Sequence, residues 1–356
     1  MQDKHFDQLE AVPAASVIYN KFIKYDQLNL IVSKEFQGCK DKIINIYIDL
    51  YSMLTTLYRC SSITGILDIS SCIVNMAIHY RNYFLKYGVY TNIFLIYSPT
   101  MGITNLKHLP NYNSSYTNLM MRNKQVYNAV NQNLGLLGTI VPYLPDIFLK
   151  IGTAETTVIA YDIIMKLQSK GVTFPSVFVT SSQYAFQLPS KYPRAVLFFK
   201  KRDKQGEDLS YGVDTLDCLD YYIKETKNKS DISIAKRREW MSAYMCLSGI
   251  PKRNVTALFN YKVSLKILNS ISQSYDAITP ENIYEHISRA YPDHRIPFQE
   301  IIERFKCIDL DYQLEEYRTL PESQGMSFLN QMDNFDELVH LNSTYFKNNP
   351  MALDKL

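Results

Sequence analysis

The sequence is poor in glycine and tryptophan, with 12 and 1 in 356 residues, and it has no paired cysteines, no clustered histidines and no strong surplus of either charge. Each absence excludes something. The six cysteines, Cys39, Cys60, Cys72, Cys218, Cys246 and Cys307, form no Cys-x-x-Cys pair and have no histidine at zinc-ligand spacing. Scattered reduced thiols are the expectation, and a structural zinc site is not. A formal net charge of +3 is far below the surplus of a protein whose main task is to grip phosphate backbones. No Ser/His/Asp or Cys/His order suggests a nucleophile, and His79 reads as a helix-face histidine. The start, Met1-Gln2-Asp3-Lys4-His5-Phe6-Asp7, lacks the basic segment and apolar run of a secretory signal. The most apolar stretch, residues 134–151, is interrupted by Pro142, Pro145, Asp146 and Lys150, so no membrane span is expected. These absences predict a cytoplasmic location: host cytoplasm or virion, if the source is viral.

What is present is ordinary globular material. Hydrophobic residues make up 46% and charged residues 21%, enough apolar surface to fold. The chain exceeds one average domain, which implies a core plus a helical extension or second unit. The 28 tyrosines, beside many Asn, Ile and Lys, show the bias of an AT-rich coding genome and suggest a phage, a virus or another AT-rich genome.

The first clear element is the run Ile43-Ile44-Asn45-Ile46-Tyr47-Ile48, a buried strand ending at Asp49. Residues 71–87 place Ile73, Val74, Ala77, Ile78, Tyr80 and Phe84 at helical spacing with Gly88 as a stop, and residues 89–98 read as a second strand. Strand, helix, strand in that order predicts a parallel sheet. Residues 102–115 read as a polar surface loop, 118–137 as helix, 157–170 as a helix, and 175–179 and 195–199 as strands. Beyond about residue 205 the pattern is mainly helical, at 220–224, 238–247 and 263–271. The last fifty residues are polar with scattered anchors at Phe328, Leu338 and Phe346, and no internal repeat occurs. The predicted organisation is an N-terminal extension (1–40), an α/β core (41–205), a helical region (206–300) and a C-terminal extension (301–356).

Four blocks resemble the flap endonuclease and 5′-3′ exonuclease family, over about two-thirds of the chain. The segment "INIYIDLYSML" has Asp49 where the family's first strand ends in a metal-binding Asp. Where the second strand usually ends in Phe-Asp-Gly, this chain has Tyr97-Ser98-Pro99. The family's Gly-x-Glu-Ala-Asp-Asp frame is met by Gly152-Thr153-Ala154-Glu155-Thr156-Thr157, with Ala154, Thr156 and Thr157 in the acidic places. The Asp-x-Asp-x-x-Gln-Leu block becomes Ser182-Gln183-Tyr184-Ala185-Phe186-Gln187-Leu188, which replaces both acids. The Gly-Asp-x-x-Asp-Asn segment becomes Gly249-Ile250-Pro251-Lys252-Arg253-Asn254, which keeps neither Asp. The Gly-Ile-Gly-Pro-Lys turn of the helix-hairpin-helix, which holds a DNA phosphate in the family, corresponds to Leu258-Phe259-Asn260-Tyr261-Lys262, without its glycines.

The resemblance implies an α/β fold of the PIN-like, flap-endonuclease-like type: a mostly parallel central sheet flanked by helices, followed by a mainly α-helical C-terminal region. It also implies lost chemistry. Two-metal hydrolysis needs several carboxylates to hold a pair of Mg²⁺ ions, and Asp49 alone does not suffice. Asp49, Ser98, Ala154, Thr156, Thr157, Ser182 and Tyr184 are therefore expected to be vestigial positions, with no metal and no cofactor. Glu155, within the Thr153 to Thr157 turn, reads as part of a helix cap. Asp214, Asp217 and Asp220 fall at i, i+3 and i+6, and the helix dipole accounts for acids there. Basic clusters at Lys200-Lys201-Arg202, Lys236-Arg237-Arg238 and Lys252-Arg253 are candidate nucleic-acid contacts, set against the plainer reading of solvated faces. Three functions follow as expectations: a non-catalytic subunit that binds protein partners in a viral assembly, a passive DNA- or RNA-binding subunit, and a divergent metal-dependent nuclease.

Overall fold

The computed structural model describes residues 43–50, 66–85, 88–98, 102–112, 124–144, 146–202, 208–213 and 239–320. The predicted N-terminal extension, the acids Asp214, Asp217 and Asp220, the cluster Lys236-Arg237-Arg238, the helix expected at 220–224 and the anchors Phe328, Leu338 and Phe346 lie outside them.

The first strand, β1 (Ile43–Asp49), is buried along its whole length, as a strand covered on both faces must be. Helix α1 (Ile66–Leu85) leads to β2 (Tyr90–Tyr97), then come α2 (Ile103–His108), α3 (Lys124–Ile140) and β3 (Ile147–Ile151). Helix α4 (Thr156–Ser169) leads to β4 (Ser176–Thr180), a 3₁₀ turn, the short α5 (Leu188–Lys191), β5 (Ala195–Arg202) and β6 (Asp208–Val213). The strands form one sheet in the order β3-β2-β1-β4-β5-β6, parallel from β3 through β5, with β6 antiparallel at the edge.

Alternating side chains divide the core into two layers. On one face Tyr47 stacks on Phe94 at 4.9 Å and Phe94 on Phe148 at 5.3 Å, neighbours across three paired strands. This face is covered by α4 and the C-terminal helices. On the other, Ile46, Ile48, Ile93, Leu95, Val177 and Val179 meet α1 and α3. Ser70 donates to the Asn133 side chain at 2.9 Å and ties those two helices together. A polar pair inside the strands, Asn45 and Asn92, lies in register, with Asn92 Nδ2 donating to Asn45 Oδ1 at 2.9 Å and Asn45 Nδ2 to the Tyr47 hydroxyl at 3.3 Å.

The C-terminal region contains α6 (Met241–Ser248), α7 (Tyr261–Ser274), α8 (Pro280–Ala290), α9 (Phe298–Ile308) and α10 (Leu310–Thr319). Helix α9 spans the boundary expected at residue 300, and Ile301, Phe305, Ile308, Leu310 and Leu314 of α9 and α10 are part of the buried core. Their seam with the sheet domain is polar. Asn105 Nδ2 donates to the Cys307 carbonyl at 2.6 Å, Gln187 Nε2 to the Ile308 carbonyl at 2.8 Å, and Ser242 to Gln187 at 2.8 Å. Asp309 caps α10 by accepting from Asp311 N at 3.0 Å.

One local expectation is corrected. The polar stretch 102–115 contains α2, because Thr104 and Asn105 are buried partners of the C-terminal helices rather than loop surface. The Pro-punctuated run before Gly152 ends in a strand, β3, paired with β2. The region after 205 is mainly helical, as expected, and opens with one strand, β6, that pairs with β5. Among the described residues, no helix is long and apolar enough to cross a membrane.

Candidate functional site

In a parallel sheet the carboxyl ends of the strands open onto one edge, where connecting loops converge. Here β1, β2 and β4 are consecutive in the sheet with β3 beyond β2, so their ends bring distant sequence positions together. Asp49 is the last residue of β1, Ser98 follows β2, the Gly152 to Glu155 turn follows β3, and Thr180 ends β4 with Ser182 and Tyr184 just beyond. All of these side chains, with Ala154, Thr156 and Thr157, are buried. The four sequence blocks thus meet at one end of the sheet.

A continuous polar chain runs through this cluster. Thr180 Oγ1 donates to Asp49 Oδ2 at 2.8 Å and accepts from the Ser182 backbone N–H at 2.9 Å. Arg253 Nη2 donates to Ser182 Oγ at 2.9 Å and to Glu155 Oε2 at 3.2 Å, while Arg253 Nε lies 2.7 Å from Glu155 Oε1. Tyr112 donates its hydroxyl proton to Glu155 Oε1 at 2.7 Å. The guanidinium therefore faces both oxygens of one carboxylate, a fork geometry matched to Arg.

Burial pushes the Glu155 carboxyl above its ordinary value of 4.5, Arg253 and the Tyr112 hydrogen bond pull it back, and the negative charge of Asp49 adds to the rise. Burial likewise holds the phenols of Tyr112 and Tyr184 well above their usual range. The Thr156 and Thr157 hydroxyls, on the first turn of α4, have no hydrogen-bond partner among the described residues.

The backbone holds Arg253 firmly. Gly249 adopts φ 74°, and a Cβ there would fall 2.4 Å from the Val255 carbonyl oxygen, so only glycine fits. Ile250 N–H donates to the Val255 carbonyl at 2.9 Å and Val255 N–H returns a bond to Ile250 at 3.2 Å. Between them a 3₁₀ turn, Pro251–Arg253, ends in Asn254 in the left-handed region at φ 58°.

Two sequence readings change. Glu155 stands at the cap position of α4, but its side chain makes no cap hydrogen bond and turns to Arg253 instead. Arg253, expected as a surface contact for nucleic acid, is buried with its guanidinium committed to Glu155 and Ser182. Sequence reasoning also missed Tyr112 and Thr180, which have no counterpart in the motif frame. One signal was available for Arg253: it stands where the family's Gly-Asp-x-x-Asp-Asn segment has its second Asp, a reversal of charge at an acidic position. Of the other basic candidates, Lys200, Lys201 and Arg202 are the last residues of β5, paired with Ser210, Leu209 and Asp208 of β6, at the same end of the sheet. Lys252 lies in the Arg253 turn.

The donor set does not fit a pair of divalent metal ions. Among the described residues the cleft holds two carboxylates, Asp49 and Glu155, and an always-charged guanidinium is locked against one of them. Among the described residues no group of three or more His, Cys, Asp or Glu side chains could hold a metal ion.

No protein-family model matches the sequence, and no curated protein is similar to it. Solved structures do align. The D15 protein of bacteriophage T5, co-crystallised with metal ions, superposes with a TM-score of 0.50 at 10% identity, over 77% of this chain and 96% of that one. A T5 D15 flap endonuclease variant, solved as a pseudo-enzyme–product complex with DNA and metal ions, gives 0.49 at 11% identity, over 76% of this chain and 91% of that one. The mostly parallel sheet with its helical C-terminal region is thus the fold of the T5 flap endonuclease, a likeness of architecture at very low sequence identity.

Proposed function

We propose that this chain is a non-catalytic, flap-endonuclease-like protein that serves as a structural or interaction subunit of a nucleic-acid-processing or virion assembly. The observation that carries this reading is the buried Arg253–Glu155 pair at the carboxyl ends of the strands. Phosphodiester hydrolysis by two metals requires carboxylates to concentrate cations there, with one ion activating water and the other stabilising the leaving oxygen. A fixed guanidinium repels such ions and already neutralises the surviving Glu. With Ala154, Thr156, Thr157, Ser182 and Tyr184 in acidic places, the described residues offer no set of three or more acidic, His or Cys ligands to run the step.

A second reading, passive DNA or RNA binding, is favoured by the placement of Lys200, Lys201 and Arg202 at the end of β5. Replacing acids by neutral residues also lowers the repulsion between the cleft and a phosphate backbone. This reading requires salt-sensitive binding that weakens when these three residues are replaced.

The test is incubation of the purified protein with branched DNA in Mg²⁺ or Mn²⁺, alongside isolation of the complexes it forms in its native setting. Intact DNA together with stable co-purifying proteins is the expected result. Metal-dependent cleavage that Asp49→Ala abolishes would overturn the proposal.

A further inference from the structure

We propose that the cavity between the start of α6 and the end of α7 is a docking pocket for an arginine side chain carried by a protein partner. The inference rests on the interaction-subunit reading above and names the chemistry of one contact. The pocket is separate from the cleft, at the opposite end of α6 from the turn that carries Arg253.

The cavity holds about 120 Å³ and is lined by Glu239, Trp240, Ser272, Tyr275, Asp276 and Ile278. That is room for the head of a long side chain rather than for a cofactor-sized molecule. Its charge has one sign, since two lining residues are acidic and none is basic. Glu239 and Asp276 are exposed, and neither has an ion-pair partner among the described residues. Asp276 follows directly on the C-cap residue Tyr275 of α7, whose last turn carries no basic residue. The carbonyl end of that helix therefore adds negative potential to that of the two carboxylates, and the pocket favours a positive group.

The walls select among cations. Trp240 is 1% exposed, sits at the N-cap of α6, and its indole N–H makes no hydrogen bond among the described residues. Tyr275 is tied to α8 through its hydroxyl, which donates to Glu285 Oε2 at 2.7 Å. Ile278 packs against the core. Aromatic and aliphatic walls suit a weakly hydrated guanidinium on an apolar stem better than a strongly hydrated metal ion, and two carboxylates are too few for a dedicated metal cage. The indole N–H is a donor, which a bare cation leaves unanswered. An arginine residue within a peptide answers both, because its guanidinium donates to the carboxylates and a backbone carbonyl beside it accepts from the indole.

Trp240 is the single tryptophan of the chain, so its fluorescence reports on this pocket. The experiment is titration of the full chain at fixed ionic strength with acetyl-Gly-Arg-Gly-amide, with the citrulline tripeptide as the uncharged isostere. The arginine peptide is expected to change the emission saturably and the citrulline peptide to leave it unchanged. Combining Glu239→Gln with Asp276→Asn should weaken binding at least about fivefold. Both side chains are exposed, so the double variant is expected to keep the melting temperature of the wild type, and the citrulline comparison decides the matter if it does not fold.

No change with the arginine peptide, an equal change with citrulline, or full binding by the double variant would overturn the proposal. Binding that emerges only when Lys236, Arg237 and Arg238 are replaced by Gln would also overturn it, by assigning the pocket to the chain's own basic run. Equal affinity for the lysine tripeptide would overturn the assignment to arginine. Cleavage of branched DNA by the wild type would remove the reading on which the proposal rests while leaving the binding result standing.

Discussion

The molecule carries the same Arg–carboxylate pair in two surroundings. In the cleft, Arg253 and Glu155 leave 9% and 0% of their side chains exposed, whereas on α8 Arg289 and Glu285 leave 75% and 48% exposed. Glu285 is held below the ordinary carboxylate range, first by the hydrogen bond from Tyr275 and with help from Arg289, while Glu155 is pushed above it by burial despite its partner. In water the attraction between the charges is weak but nothing opposes it. In the core it is strong, yet stripping water from both groups is stronger still. A buried pair is thus an obligation rather than a gain: neither member can be lost without stranding the other.

Arg253→Ala should break this comparison most severely. It strands a buried carboxylate, at a cost of about 3–5 kcal/mol. The loss should be greatest at alkaline pH and shrink in mild acid, where Glu155 can take up a proton. Chemical denaturation at both pH values checks this. Arg304 lies between the two extremes, buried itself and bonded to the Thr256 carbonyl at 2.6 Å, but facing a Glu300 that is 40% exposed. Tyr112→Phe removes a hydrogen bond to an ionised acceptor and should cost about 1.5–3 kcal/mol in the same assay.

The pH slope is subtler. In the unfolded chain Glu155 loses its proton near 4.5, whereas the folded state holds it to higher pH. The folded state then binds more protons, so this group's contribution to stability is fully present below the unfolded value and is lost as pH rises through the folded one. Glu155→Gln should flatten that decline, measured as denaturation midpoints across the acid to neutral range. Smallest of all, Arg289→Ala should shift stability by less than about 0.5 kcal/mol, and added salt should reduce even that. A large loss there would blur the distinction between the two pairs.

Burial also explains what the sequence could and could not reveal. Strands β1, β2 and β4 were legible because fully covered parallel strands are unbroken apolar runs. Strand β3 was not, because Pro142 and Pro145 interrupt the longer apolar run that contains it. Helix α2 looked like a loop because Thr104 and Asn105 are polar, and only the distant residues Gln313 and Cys307 supply their partners. The site was half legible. The motif frame located Asp49 and the strand-end positions Ser98, Ala154, Thr156, Thr157, Ser182 and Tyr184 that share its end of the sheet, since loops at strand ends keep their order in the chain. Arg253 was misplaced because a Lys-Arg dipeptide ordinarily marks solvent, and its role depends on a carboxylate 98 residues away.

The central claim is that a guanidinium stands in the cleft where a cation would otherwise be needed. Crystals of the wild-type protein soaked in Mn²⁺ and measured for anomalous scattering test it directly. The account predicts no manganese peak beside Asp49 and Glu155, with Arg253 still paired to Glu155. A peak coordinated by those two carboxylates, with Arg253 swung away, would contradict it.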